Sequence, residues 1–150
     1  MNATTSLFLL FMMMLVGALG LLAIVVAFWV RPARQSRVGL VVAVSPPLVM
    51  LASFYSLAIH MYRSLGAWPN YIGERGFSAS LILHAQIATG YFGVLLLATI
   101  IVWPIVFLVC LIVRRWRGCV YYLGVYAFSY CVSLALMLLA PSAYWVWWWD

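Results

Sequence analysis

The feature that most constrains the fold of this chain is the length of its uncharged stretches. Residues 7–30, 38–62, 78–113 and 119–140 contain no Asp, Glu, Lys or Arg. A helix needs about 20 apolar residues to cross the hydrocarbon core of a bilayer, so each stretch is long enough to be a transmembrane helix. The sequence therefore predicts an all-α polytopic membrane protein with four transmembrane helices in an up-down bundle.

Composition excludes a soluble alternative. Only 7% of the 150 residues are charged and 69% are hydrophobic, whereas about 25% of the residues in an ordinary soluble domain are charged. So few charges cannot cover a protein surface in water, but a lipid-facing surface needs none. Since four spans and short connections account for nearly all of the chain, we expect residues 1–150 to form a single integral membrane domain.

The distribution of arginines predicts the orientation. Three arginines follow the first stretch and three follow the third, whereas the second is followed by Arg63 and Arg75 and neither terminus carries one. Because positively charged loops are retained in the cytoplasm, both termini should lie outside, an N-out and C-out arrangement. The net charge of +6 then reflects topology and contact with anionic lipid headgroups, and nucleic-acid binding is not expected.

Three prolines interrupt the predicted helices near the middle of the membrane. Pro46 and Pro47 lie nine and ten residues after Arg37, and Pro104 lies ten residues before Arg114, so all three are about 15 Å from the cytoplasmic charges. Each proline removes an amide donor and frees a carbonyl one turn earlier, and that carbonyl needs a partner in lipid. A shared midplane cavity is one solution, and two independent kinks satisfied by local adjustment are the commoner one.

The titratable side chains outside the arginine loops cluster at the predicted outer end. His60 and His84 lie on neighbouring helices, and such a pair is suited to ligating haem b or hydrogen-bonding a quinone. Counted along their helices they lie about 35 Å and 45 Å from the cytoplasmic charges, so a contact between them requires a tilt or a break, and histidines at headgroup depth also need no ligand. The rest of this predicted outer cap consists of Arg63, Trp68, Tyr71, Glu74 and Arg75.

No catalytic constellation is recognisable in the sequence. Glu74 is the only acid apart from Asp150, so there is no carboxylate pair, and no serine or cysteine stands at a known spacing from a histidine and an orienting acid. The three cysteines are an odd number without the spacing of metal ligands. Hydrolytic chemistry is therefore disfavoured, and we expect no metal site.

Two further patterns indicate surfaces for packing. Ala85, Thr89 and Gly93 form a row of small residues at four-residue spacing, which lets two membrane helices approach closely. Tryptophans after the last span are typical of anchors at the outer headgroup region, although so much aromatic area also suits a partner. These anchors are Trp145, Trp147, Trp148 and Trp149.

The connection between the second and third stretches reads RSLGAWP at 63–69 and YIGERGF at 71–77, followed by His84. It resembles a group of small, uncharacterised bacterial four-helix integral membrane proteins with an LGxWP-type loop. The likeness covers about a sixth of the chain. It implies a bacterial inner (plasma) membrane and four helices, and it implies no activity.

Together these patterns favour a non-enzymatic interaction or accessory component that packs against a second copy of itself or in a larger membrane complex. The alternative is a small redox protein that holds haem b or a quinone at His60 and His84. A weaker alternative is a small transporter or channel that uses the midplane breaks. That third hypothesis lacks an acidic residue in the membrane to bind or relay cations.

Overall fold

The computed structural model describes residues 36–68 and 77–149 and, before these, only positions 17, 18, 20–22, 24–26 and 29. Within this part of the chain all regular secondary structure is helical. Three helices are long and apolar enough to cross a membrane: α1 (Arg37–Leu65), α2 (Ala79–Ile112) and α3 (Cys119–Met137). A shorter helix, α4 (Ser142–Trp149), follows α3. The predicted all-α membrane class is confirmed at this level.

The second, third and fourth predicted spans coincide with α1, α2 and α3, whereas most of the first, 7–30, lies outside the described residues. The described positions in that first segment are helical. A Cβ added at Gly20 would lie 3.1 Å from Sγ of Cys131 on α3, and Val26 packs against buried side chains of α2 and α3. These positions therefore lie beside α3.

Helix α1 has a defined beginning and end. The Ser36 side chain accepts a hydrogen bond from the amide of Gly39, which satisfies one of the donors left free at a helix start. At the other end Gly66 has φ 70°, and its amide donates to the Tyr62 carbonyl. A left-handed residue at this position closes a helix, and glycine adopts it without a Cβ penalty.

Helix α2 changes its neighbour partway along its length. Its first part, Ala79–Leu97, which the sequence predicts to be the outer one, packs against α1. Its last part, Trp103–Ile112, predicted to be the inner one, packs against α3. Between them lies a π-helical turn, Ala98–Val102, immediately before Pro104. A π-turn widens the helix locally, so the backbone can accommodate a proline, which has no amide donor. At this turn the packing partner of α2 changes from α1 to α3.

Helix α4 folds back onto the bundle and contributes to its core. The Tyr144 hydroxyl donates to the Phe54 carbonyl of α1 over 2.9 Å, and the Phe54 ring lies 4.9 Å from the rings of both Tyr144 and Trp148. Trp148 also meets the edge of Phe92 on α2 at 5.7 Å. Two of the aromatic residues of the tail are thus buried inside the protein, and a role of its tryptophans as interfacial anchors stays a prediction.

Buried side chains form two clusters, one at each end of the bundle. The outer cluster is contributed by all four helices and contains Phe54, Tyr130, Tyr144 and Trp148. The inner cluster lies between α2 and α3. Many large aliphatic side chains outside these clusters are exposed, which is the arrangement that a lipid-facing surface requires.

Candidate functional site

The two histidines of the chain are in direct contact. His60 on α1 and His84 on α2 approach with their Nδ1 atoms 3.0 Å apart, and both side chains are half-buried. The Ser56 hydroxyl of α1 lies 3.4 Å from Nε2 of His84. Ser56, His84 and His60 therefore form a polar chain that links α1 to α2, which we call the histidine pair.

Counting residues along the helices placed these histidines about 10 Å apart in depth, yet they meet. The count assumed that both helices run parallel to the membrane normal. Because α2 passes from α1 to α3 along its length, it runs obliquely to at least one of them and covers less depth per residue. The contact between His60 and His84, which required a tilt or a break, is thus formed. The π-turn at Ala98–Val102 lies along α2 between His84 and the arginines.

The geometry of the histidine pair defines its chemistry. A hydrogen bond between two Nδ1 atoms requires one protonated and one unprotonated nitrogen. Two imidazole nitrogens on opposite sides of one metal ion stand about 4 Å apart, twice a metal–nitrogen bond of about 2 Å, whereas the two Nδ1 atoms are 3.0 Å apart. Nε2 of His60 is the ring nitrogen of the pair for which the described residues supply no hydrogen-bond partner.

The other residues of the predicted outer cap are only partly described. Arg63 is exposed one turn beyond His60. Trp68 packs on the rings of Tyr62 and Tyr144 at 5.0 Å and 5.7 Å, so the end of α1 is tied to α4. The remaining members, Tyr71, Glu74 and Arg75, lie outside the described residues.

A second candidate site is an open cavity of about 610 Å³ in the inner half of the bundle. Its walls come from α1, from α2 between Leu95 and Cys110, from Trp116 and from the first two turns of α3, and they are almost entirely apolar. The sequence suggested a cavity at the proline breaks only as one of two alternatives, and Tyr122 and Tyr126 follow the helical spacing that marks an inward face of α3. We call it the inner cavity; its lining includes Val42, Pro46, Ala98, Val102, Val106 and Tyr126.

The proline break of α1 and the π-turn of α2 border the inner cavity. Val42 and Ala43, whose carbonyls lose their helical donors to Pro46 and Pro47, line it from α1, and Ala98 of the π-turn lines it from α2. Neither Pro104 nor Ile100, whose carbonyl loses its helical donor to Pro104, is among the lining residues, so a cavity shared by both proline breaks stays a prediction.

Polar side chains fasten the helices around these breaks. The Tyr91 hydroxyl of α2 donates to the Pro46 carbonyl of α1 over 3.1 Å. Thr99 in the π-turn donates to the Leu95 carbonyl over 2.8 Å, and its hydroxyl also meets that of Tyr126 on α3 at 2.5 Å. These contacts hold the irregular segments in place without filling the cavity.

Four arginines are close in sequence to residues that line one end of the cavity, Gly39 and Trp116. Arg37 begins α1, and Arg114 and Arg115 belong to a 3₁₀ turn that ends in Trp116, which lines the cavity. Arg117 follows, and all four arginines are exposed. We call this the arginine end. Neither of the two acids in the sequence lies in the described residues.

A tight contact fixes α1 to α3 at the arginine end. The Ser36 amide donates to the Tyr122 hydroxyl over 2.7 Å, and a Cβ on Gly39 would lie 2.6 Å from the Tyr122 ring. Glycine is therefore required there for the two helices to approach. The inner cavity consequently separates α1 from α2 rather than α1 from α3.

The row of small residues on α2 is partly exposed. The Thr89 hydroxyl donates to the Ala85 carbonyl over 2.7 Å, and Ala85 and Gly93 are half-buried. A Cβ added at Gly90 or Gly93 would meet nothing within 4 Å, and Gln86 beside them is exposed. This face of α2, containing Gln86, Gly90 and Gly93, is the open α2 face.

No family model, curated protein or solved structure matches the chain. Among the described residues no three His, Cys, Asp or Glu side chains are grouped as metal ligands would be.

Proposed function

We propose that this chain is a non-enzymatic, four-span integral membrane protein of the bacterial inner membrane, with both termini outside, and that it acts as an interaction component of a membrane complex. The observation that carries the proposal is the open α2 face. Gly90 and Gly93 leave room for another helix backbone, and small residues drive close helix packing in lipid. The exposed amide of Gln86 is available to hydrogen-bond a partner helix.

Enlarging the glycines tests this role. We expect chemical cross-linking in native membranes to join the wild-type chain to a second copy or to a stable partner, and the Gly90→Leu and Gly93→Leu variants to lose that product because a leucine side chain separates the backbones. Val49→Leu, an enlargement at an exposed position of α1, is the matched control and should retain it. Equal cross-linking in all four proteins would overturn the proposal.

The orientation has its own test. A tag at either terminus should be accessible to a membrane-impermeant protease or label in intact spheroplasts, because six of the eight arginines lie in the two loops expected on the cytoplasmic side. A terminus that is protected in spheroplasts and exposed only after lysis would contradict four spans with both ends outside.

A second candidate function is that of a small redox protein that binds a quinone, and it rests on the histidine pair. Nε2 of His60 is suited to donating a hydrogen bond to a quinone carbonyl, with His84 holding the ring in place over 3.0 Å. Purification in mild detergent followed by lipid extraction and an absorption spectrum tests it. A quinone retained by the wild type and lost in His60→Phe supports this function, and a colourless, quinone-free protein ends it.

A further inference from the structure

We propose that the inner cavity binds one acyl chain of an anionic phospholipid and that the arginine end holds its phosphate. This site is independent of the open α2 face. It is built from two features that adjoin each other: an apolar space between α1 and α2, and a group of arginines at the end of that space.

The first argument is the chemistry of the space. Its volume of about 610 Å³ lies in the range of about 300–1,000 Å³ that is usual for sites of small lipophilic ligands. Aliphatic side chains such as Val42, Val102 and Val106 line it. Water in such a cavity lacks the two to four polar partners that it needs, whereas a hydrocarbon chain needs none.

The second argument is charge. Arg37, Arg114, Arg115 and Arg117 carry four positive charges at the arginine end, and the described part of the chain contains no carboxylate side chain to neutralise them. The Nε of Arg117 donates to the Leu111 carbonyl over 3.3 Å, which leaves its terminal nitrogens for a phosphate. Guanidinium groups bind phosphate oxygens through paired, charge-assisted hydrogen bonds. A phosphodiester at this position supplies the missing negative charge.

The third argument is continuity between the two features. Trp116 lines the cavity and lies between Arg115 and Arg117 in the sequence, and Cys119 at the start of α3 lines it as well. An indole at this depth is typical of the boundary between headgroups and acyl chains. One amphipathic molecule therefore reaches both the arginines and the apolar walls, which neither a free phosphate nor a neutral hydrocarbon would do.

The experiment uses the full-length chain in nanodiscs or mild detergent with two defined lipids, phosphatidylglycerol and phosphatidylcholine, that carry the same acyl chains. Native mass spectrometry counts the lipids retained per chain after most of the detergent or lipid is stripped away. We expect one phosphatidylglycerol to be retained, with a preference of about tenfold over phosphatidylcholine because charge-assisted hydrogen bonds favour the anion. Equal retention of the two lipids would overturn the proposal.

Two kinds of variant test the contributions of the cavity walls and of the arginines separately. Val106→Phe fills the cavity and should abolish retention, whereas Ile105→Phe, the same enlargement at the adjacent exposed position outside the lining, should leave it unchanged. Val102→Phe is a second filling variant in case the first does not fold. A folded Val106→Phe or Val102→Phe protein that keeps its lipid refutes the site.

For the arginine variants, the quantity measured is the preference for phosphatidylglycerol over phosphatidylcholine. Arg114→Gln and Arg117→Gln should each lower the preference for phosphatidylglycerol several-fold. Arg63→Gln, which removes an arginine from the outer cap, is the control and should leave the preference as it is. If the Arg63 variant has the same effect as the other two, net charge and not the arginine end selects the lipid, and the proposal is wrong.

Discussion

Replacement of Trp148 by alanine should strongly destabilise the protein. Trp148 is 9% exposed, and its ring contacts Phe54 at 4.9 Å and Phe92 at 5.7 Å, so it joins α4 to both α1 and α2. Truncation of a buried tryptophan to alanine costs about 3–5 kcal/mol from lost contacts and the cavity left behind. We expect Trp148→Ala to lower the free energy of unfolding by about that amount.

The assay is unfolding of the detergent-solubilised protein followed by far-ultraviolet circular dichroism, which does not depend on the tryptophan that is removed. Val146 lies on the same helix and is 57% exposed, so Val146→Ala should change stability by no more than about 0.5 kcal/mol. If the Trp148 and Val146 variants unfold at the same denaturant concentration, α4 is not part of the core and the reasoning fails.

Tyr144 adds a measurement with a defined sign. Its hydroxyl donates to the Phe54 carbonyl, so Tyr144→Phe should cost about 0.5–1.5 kcal/mol at neutral pH. Burial raises the pKa of Tyr144 above its ordinary value of 10.0. The unfolded chain then releases this proton first, and its stabilising contribution is present below pH 10 and is lost as pH rises further. The wild type should lose more stability than Tyr144→Phe above pH 10, and parallel curves would show that Tyr144 is accessible to water.

Two further variants probe contacts between helices. Gly39→Val places a side chain against the Tyr122 ring, since even a Cβ there would come within 2.6 Å of it. This variant should cost about 1–3 kcal/mol in the same unfolding assay. Gly118→Ala, where a Cβ would meet nothing within 4 Å, should cost far less, and equal losses of stability would contradict the contact. For His60 and His84, a double-mutant cycle with alanine should give a coupling energy of about 0.6 kcal/mol and at most about 1.7 kcal/mol, and a value of zero would show that their hydrogen bond does not stabilise the protein.

The helices were predictable because a single property decides them. A stretch such as 119–140 without charge has one stable form in lipid, since every backbone donor and acceptor must be satisfied within the segment. The start of α3 at Cys119 follows at once from the arginines before it.

The candidate sites were less predictable because they depend on how helices cross. His60 and His84 were recognised as a pair of interest, but residue counts measure distance along a helix and not depth in the membrane, so their contact at 3.0 Å could not be derived. The tail was uncertain for a different reason: an indole gains from the headgroup region and from a protein core by similar physics. Only the contacts of Trp148 with Phe54 and Phe92 show that its indole packs in the protein core.

The two ends of the bundle differ in what lies between α1 and α2. At the outer end α4 brings Tyr144 and Trp148 into the space between α1 and α2, so aromatic rings fill the gap. At the inner end no comparable described element enters between the same two helices, and about 610 Å³ stays open beside Val106. Closed protein interiors pack to the density of organic crystals, whereas this open cavity leaves its apolar walls without contacts that an occupant would supply. A lipid acyl chain is the apolar occupant that the bilayer always provides, and its removal should therefore destabilise the inner cluster around Trp103 more than the outer cluster around Phe54.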